Sequence, residues 1–264
     1  MRQIGFTLIE LLTIIAIIAL IIAILLPSLQ NSKELAKATQ CSSNIRQLIL
    51  GLLMYESDHQ TFPYALNTRP LVPPPGGYPG DQAYDRMGWW WFNHITTYSR
   101  KDSSRNSILW CPSRQITNRE LKTNMLCGNY GINLSICKAS SGLENHQEFI
   151  GTPLTILDIP HPSRTLLIVD SGYSMISWWH ASDIPPVPLG KSREDTSYVP
   201  GLHINADRYI WPGQEHDAIN GRHLNKTVNA GFADGHVEKR KAESLFVEKT
   251  ADGYRNKNPL WQPK

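Results

Sequence analysis

Glu10 is the one carboxylate in an otherwise apolar run from Phe6 to Leu26, a stretch of 21 residues. An ionisable group at membrane depth costs on the order of 2–3 kcal/mol and is usually paired or functional. A partner arises if the chain is cut after Gly5. The new amine of Phe6 is then a cation one helical turn from Glu10, on the same chain or on a neighbour packed beside it. The chemistry such a cut would allow is charge pairing at Glu10. Two other groups of residues have the types that do chemistry. One is the four cysteines Cys41, Cys111, Cys127 and Cys137; the other is His223, Asp234 and His236.

The apolar run must be a helix. Its length matches the roughly 20 residues that cross a ~30 Å hydrocarbon core. A secretory signal would be shorter, more basic at its start and followed by a small-x-small cleavage site, which is absent between Ile24 and Asn31. After Pro27 the pattern turns amphipathic, with Cys41, Ile45, Leu48, Leu52 and Tyr55 on one stripe. Residues 7–58 are expected to form one rod of about 78 Å, kinked or loosened at Pro27.

Gly5-Phe6-Thr7-Leu8-Ile9-Glu10 resembles the signal of type IV prepilins and type II secretion pseudopilins. That resemblance implies a membrane peptidase that cuts after Gly5 and methylates the amine of Phe6. It also implies that Glu10 docks the subunit into a filament through its N-terminal helix, in a type II secretion pseudopilus or a type IV pilus-like fibre. Three further stretches resemble a branch of the same family with a C-terminal His…Asp-Gly signature. They are Trp110-Cys111-Pro112-Ser113 with Tyr130-Gly131-Ile132-Asn133, then Pro162 to Asp170, then Arg222-His223 with Asn229 to Val237. Ten residues separate His223 from Asp234, one more than the resemblance implies, which is expected to lengthen the loop around Lys226.

The implied fold is α+β, a long N-terminal helix packed on a mostly antiparallel sheet with large loops. The expected organisation is a leader at 1–5, a transmembrane half of the helix at 6–26, an amphipathic half at 27–60 and a globular domain at 61–264. Arg2 in a short leader favours a cytoplasmic N-terminus, which puts the domain on the periplasmic or extracellular side of the inner membrane. That compartment permits disulfides. Four cysteines allow three pairings, and sequence alone does not choose among them. Cys41 with Cys111, and Cys127 with Cys137, is the expected pairing, with reduced buried thiols as the alternative. No CxxC spacing points to a thiolate metal site.

Asp234-Gly235 is read as a two-residue type I′ turn of a β-hairpin. A calcium ion near Asp234, flanked by His223 and His236, is the alternative to a plain turn, against which stands that calcium wants six to eight oxygens and imidazole is a poor ligand for it. No cofactor is expected. A net charge of +3 and a longest basic run of Lys239-Arg240-Lys241 exclude nucleic acid as the obvious partner. That triplet reads as a solvated face. The expected partners are the prepilin peptidase, other pilin or pseudopilin subunits and the inner membrane. Asp170-Ser171 with His180 nearby reads as a strand end, and no motif of an enzyme is present. Trp89-Trp90-Trp91-Phe92 reads first as core packing, and on a strand its rings would alternate between two faces. An exposed version of that cluster would make the alternative function: an anchored binding module for envelope polysaccharide.

Overall fold

The computed structural model describes residues 7–68, 88–95, 108–114, 124–141, 147–178, 181–182 and 221–263. Gly5, Phe6, the proline-rich segment from Pro70 to Gly80 and His180 lie outside the described residues. A single helix, α1 (Leu8–His59), runs for 52 residues, about 78 Å at ~1.5 Å per residue, and continues through Pro27. Gln60 ends it in a left-handed conformation, with its N–H donating to the Glu56 carbonyl at 2.7 Å.

The two halves of α1 differ in surroundings because they differ in composition. Every residue from Thr7 to Lys33 is exposed. Beyond that, Ala38, Cys41, Asn44, Ile45, Leu48, Ile49, Gly51 and Leu52 are buried. This stripe lies on a five-stranded mixed sheet built from β3 (Tyr130–Asn133), β4 (Leu166–Asp170), β5 (Met175–Ile176), β6 (Thr227–Phe232) and β7 (Val237–Lys241). The strand order is β5-β3-β4-β6-β7. All neighbours are antiparallel except β3 and β5. Two small ribbons complete the described strands: β1 (Leu66–Asn67) with β2 (Trp89–Trp90), and β8 (Glu248–Thr250) with β9 (Gly253–Arg255).

Strands β4 and β6 are buried along their whole length, which accounts for the continuous Leu/Ile/Val run from Leu166 to Val169. Helix and sheet approach closely at Gly231. A Cβ there would sit 2.3 Å from Ile49 Cδ1 and 2.8 Å from Ile45 Cγ2. Any side chain there would have to push these isoleucines aside, so glycine lets α1 settle closely onto β6.

Two expectations about local structure are corrected. The tryptophan cluster is not a continuous strand: Trp89 and Trp90 form β2, and Trp91–His94 is one helical turn, α2. The rings therefore do not alternate between faces. Trp90, Trp91 and Phe92 are 1%, 1% and 2% exposed, so they are core and present no stacking face to a polysaccharide. The β6–β7 connection is also not a two-residue type I′ turn. Gly235 N–H donates to the Phe232 carbonyl, and of Asp234 and Gly235 only Gly235 has positive φ, at 98°. That is a type I turn closed by a left-handed glycine, so one residue with free φ suffices. The loop around Lys226 is tight, with Asn225 and Lys226 both left-handed (φ 61° and 59°) between the paired residues His223 and Thr227.

α2 carries a titratable group into the core. His94 Nε2 is buried without a partner among the described residues, and the ring packs near Tyr55 and Trp89. Burial, and then the charge of nearby His59, push His94 down from 6.5 to about 4. The unfolded chain takes up this proton near pH 6.5 and the folded chain only near pH 4. Between those values the unfolded state binds more protons, so stability falls as pH drops through the window. The expected loss is about 3 kcal/mol at most. Urea midpoints measured from pH 7 to pH 4 should fall less steeply in His94→Phe than in the wild-type chain; identical slopes would contradict this assignment.

Candidate functional site

Two places in the fold concentrate functional residues. The first is the start of α1. Thr7 is the N-cap, and its backbone N–H and hydroxyl both donate to Glu10 Oε2, at 2.9 and 2.6 Å. Glu10 N–H donates back to Thr7 Oγ1 at 3.3 Å, which closes a capping box. Glu10 thus has a role that the sequence reading missed: it fastens the first turn of the helix. The signal was present as Thr-x-x-Glu ahead of an apolar run. By length and composition α1 is long and apolar enough to cross a membrane, with mean hydropathy 3.1 over its most apolar window. Among the described residues it is the one helix of this kind, and the chain is a membrane-anchored protein whose folded domain follows the anchor.

The second place is where α1 meets the ends of β4 and β6. Four segments far apart in sequence converge there. Cys41 comes from the buried stripe of α1, Cys111 from the turn after Trp110, Asp170 from the last position of β4, and His223 from the residue that bridges to Thr227 at the start of β6. Their sulfur, oxygen and nitrogen donor atoms all lie within 4.8 Å of one another, and all four residues are buried. Cys41 Sγ is 2.8 Å from Cys111 Sγ, 2.9 Å from Asp170 Oδ1 and 3.3 Å from Tyr130 Oη. His223 Nε2 is 2.8 Å from Asp170 Oδ2, which also accepts the backbone N–H of Asn229 at 2.7 Å.

An outer layer holds these groups in place. Cys111 N–H donates to Asn129 Oδ1, Asn44 Nδ2 donates to Tyr130 Oη, and Asn229 Nδ2 donates to the Ala38 carbonyl. Arg222 spans two backbone carbonyls, Asn129 and Ser171, at 2.5 and 2.6 Å. Burial alone would raise the Asp170 carboxyl, but the hydrogen bond and charge of His223, with Arg222 and Cys41, hold it below the ordinary carboxylate value. Burial, reinforced by Cys111 and Asp170, pushes the Cys41 thiol well up. In the absence of a cation the site therefore holds a neutral Cys41 thiol against an ionised carboxylate.

These positions bear on several expectations from sequence. Cys41 and Cys111 are brought into contact. Cys127 and Cys137 lie at opposite ends of β3, Cys127 opposite Tyr173 and Cys137 beside Ala65. His223 does not flank Asp234: strand β6 separates them, and Asp234 instead contacts His236 at 2.6 Å on the surface. That separation removes His223 from any cation site at the turn. Asp170, read from sequence as an ordinary strand end, is the centre of the buried network. No spacing rule finds this cluster, because each segment supplies one residue.

A family profile described as "Protein of unknown function (DUF1559)" matches residues 30–92. The chain is 37% identical over 93 residues to the Type II secretion system core protein G of Pectobacterium carotovorum subsp. carotovorum, covering 33% of this chain and 60% of that one. It is 36% identical over 93 residues to the protein of the same name from Dickeya chrysanthemi, covering 33% and 61%. It is also 32% identical over 66 residues to the Competence protein ComGC of Halalkalibacterium halodurans, covering 25% and 65%. The chain spans about three-fifths of the length of the first two relatives. No solved structure matches. A capped apolar helix, with its second half seated on a mostly antiparallel sheet, accompanies this similarity to pseudopilin-type proteins.

Proposed function

We propose that this protein is a structural subunit that is cut between Gly5 and Phe6 by a prepilin peptidase, methylated on Phe6 and assembled through α1 into a pseudopilus or pilus-like filament. The observation that carries this reading is the division of α1. The domain buries only its second half, and from Thr7 to Lys33 every residue is exposed. An apolar rod of this kind has two places to go, the bilayer before assembly and the bundle of neighbouring helices afterwards. Glu10 meets the Phe6 amine of a neighbour in that bundle. The similarity to core protein G and to ComGC supports a subunit role over a catalytic one, and Arg2 supports a cytoplasmic N-terminus with the domain beyond the inner membrane.

The test is the intact mass and N-terminal sequence of the protein purified from membranes of its own host. The expected chain begins at N-methylated Phe6. A chain beginning at Met1 would reduce the N-terminus to a plain anchor, and one beginning beyond Leu26 would make it an ordinary signal; either result overturns the proposal.

A further inference from the structure

We propose that Cys41, Cys111, Asp170 and His223 form a tetrahedral binding site for a divalent transition-metal ion, zinc by its donor chemistry. Two thiolates, an imidazole and a carboxylate oxygen are a zinc set: thiolate softness selects against calcium and magnesium, and four donors satisfy zinc's preferred coordination. The geometry fits. A zinc tetrahedron with bonds of about 2.0–2.3 Å has edges of roughly 3.3–3.8 Å between donor atoms. Here the four donors all lie within 4.8 Å of each other, with the sulfurs 2.8 Å apart. That contact is well inside the van der Waals separation of two thiols, so the pair must either bond or part. Parting by about 1 Å opens the centre to the zinc distances.

The surroundings favour a cation over a disulfide. Among the described residues, the group facing Asp170 Oδ1 as a donor is the Cys41 thiol. Oxidising Cys41 and Cys111 to a disulfide removes that proton and leaves a buried carboxylate oxygen against bare sulfur, with the penalty of an unsatisfied charged group. A metal ion replaces the proton with a stronger positive charge. Asp170 Oδ2 keeps its backbone donor, Asn229 N–H, as the support for the ligand. The charges also close: two thiolates and one carboxylate against a dication and the buried Arg222. Binding releases the two thiol protons, and because the four ligands come from α1, the Cys111 turn, β4 and the β6 entry, the ion joins the membrane helix to the domain. This site is independent of filament assembly.

The full-length chain, purified in detergent without oxygen from cells supplied with zinc, is assayed for metal by mass spectrometry and then exchanged with cobalt(II). The expected result is about one zinc per chain, and an absorption spectrum after exchange with thiolate-to-cobalt charge transfer on a tetrahedral centre. Zinc content is expected to fall roughly tenfold or more in Cys41→Ser and Cys111→Ser. The cobalt spectrum is read on the wild-type chain, so it does not depend on how the variants fold. A metal-free wild-type chain, a cobalt complex without sulfur bands, or a Cys41–Cys111 disulfide in a non-reducing peptide map of that preparation would each overturn the proposal.

Discussion

Glu10→Ala yields a chain that is still cut after Gly5 but no longer enters a filament. An unpaired ammonium or carboxylate inside the apolar bundle costs roughly 2–3 kcal/mol, about a hundredfold in each docking equilibrium, and every added subunit meets the same deficit. Alanine also removes the hydrogen bonds from Thr7, which fasten the first turn of α1. Loss of a cap costs about 1 kcal/mol and frays the helix locally. Glu10→Gln separates the two effects, because glutamine completes a capping box as glutamate does but carries no charge. The expectation is that both variants are processed and neither assembles, scored by sheared-filament yield against processed chain in the membrane. Normal filaments from Glu10→Gln would show that Glu10 acts as a cap alone.

Trp91→Ala has the second-largest expected effect, and it falls on the domain. Trp91 is almost fully buried, stacks edge-on against Phe92 with centroids 5.4 Å apart, and donates its indole N–H to the Ser174 carbonyl at 3.0 Å. Removing it opens a cavity and takes one of two donors from the Ser174 carbonyl, which keeps the Ile132 N–H at 3.0 Å; the expected cost is about 3–5 kcal/mol. For a domain of ordinary stability that is a large share of the total. Chemical unfolding of the detergent-solubilised chain should show the lost midpoint directly. A folded, equally stable Trp91→Ala chain that had lost affinity for envelope polysaccharide would return the aromatic cluster to the surface role that its burial denies it.

What could be read from sequence divides along physical lines. The extent of α1 was legible to within a residue or two, because an all-apolar run followed by a strict amphipathic stripe is a local pattern with one periodic solution. The β6–β7 hairpin was legible for a similar reason, with a glycine where the turn needs one, although its turn type was not. Strand β4 announced itself as a branched apolar run. The core position of the tryptophan cluster was legible but its backbone was not: alternation suits any short aromatic run read as strand, and only tertiary packing decides that Trp91 begins a helical turn. The buried cluster was invisible as a unit. Cys41, Cys111, Asp170 and His223 are each separated by more than fifty residues from the next, and their meeting depends on α1 lying across the ends of β4 and β6.

The sheet's two outer strands carry a further consequence. At one side is β5, only Met175 and Ile176 long. At the other is β7, where Glu238, Lys239, Arg240 and Lys241 follow a single valine. The filament proposed above would bring many identical sheets to very high local concentration, the condition under which open strand edges zip into cross-β aggregates. One border offers almost no backbone to extend, and the other is studded with charges that resist a second strand. In such a filament, polymerisation would be left to the helix, with the sheet kept out of it.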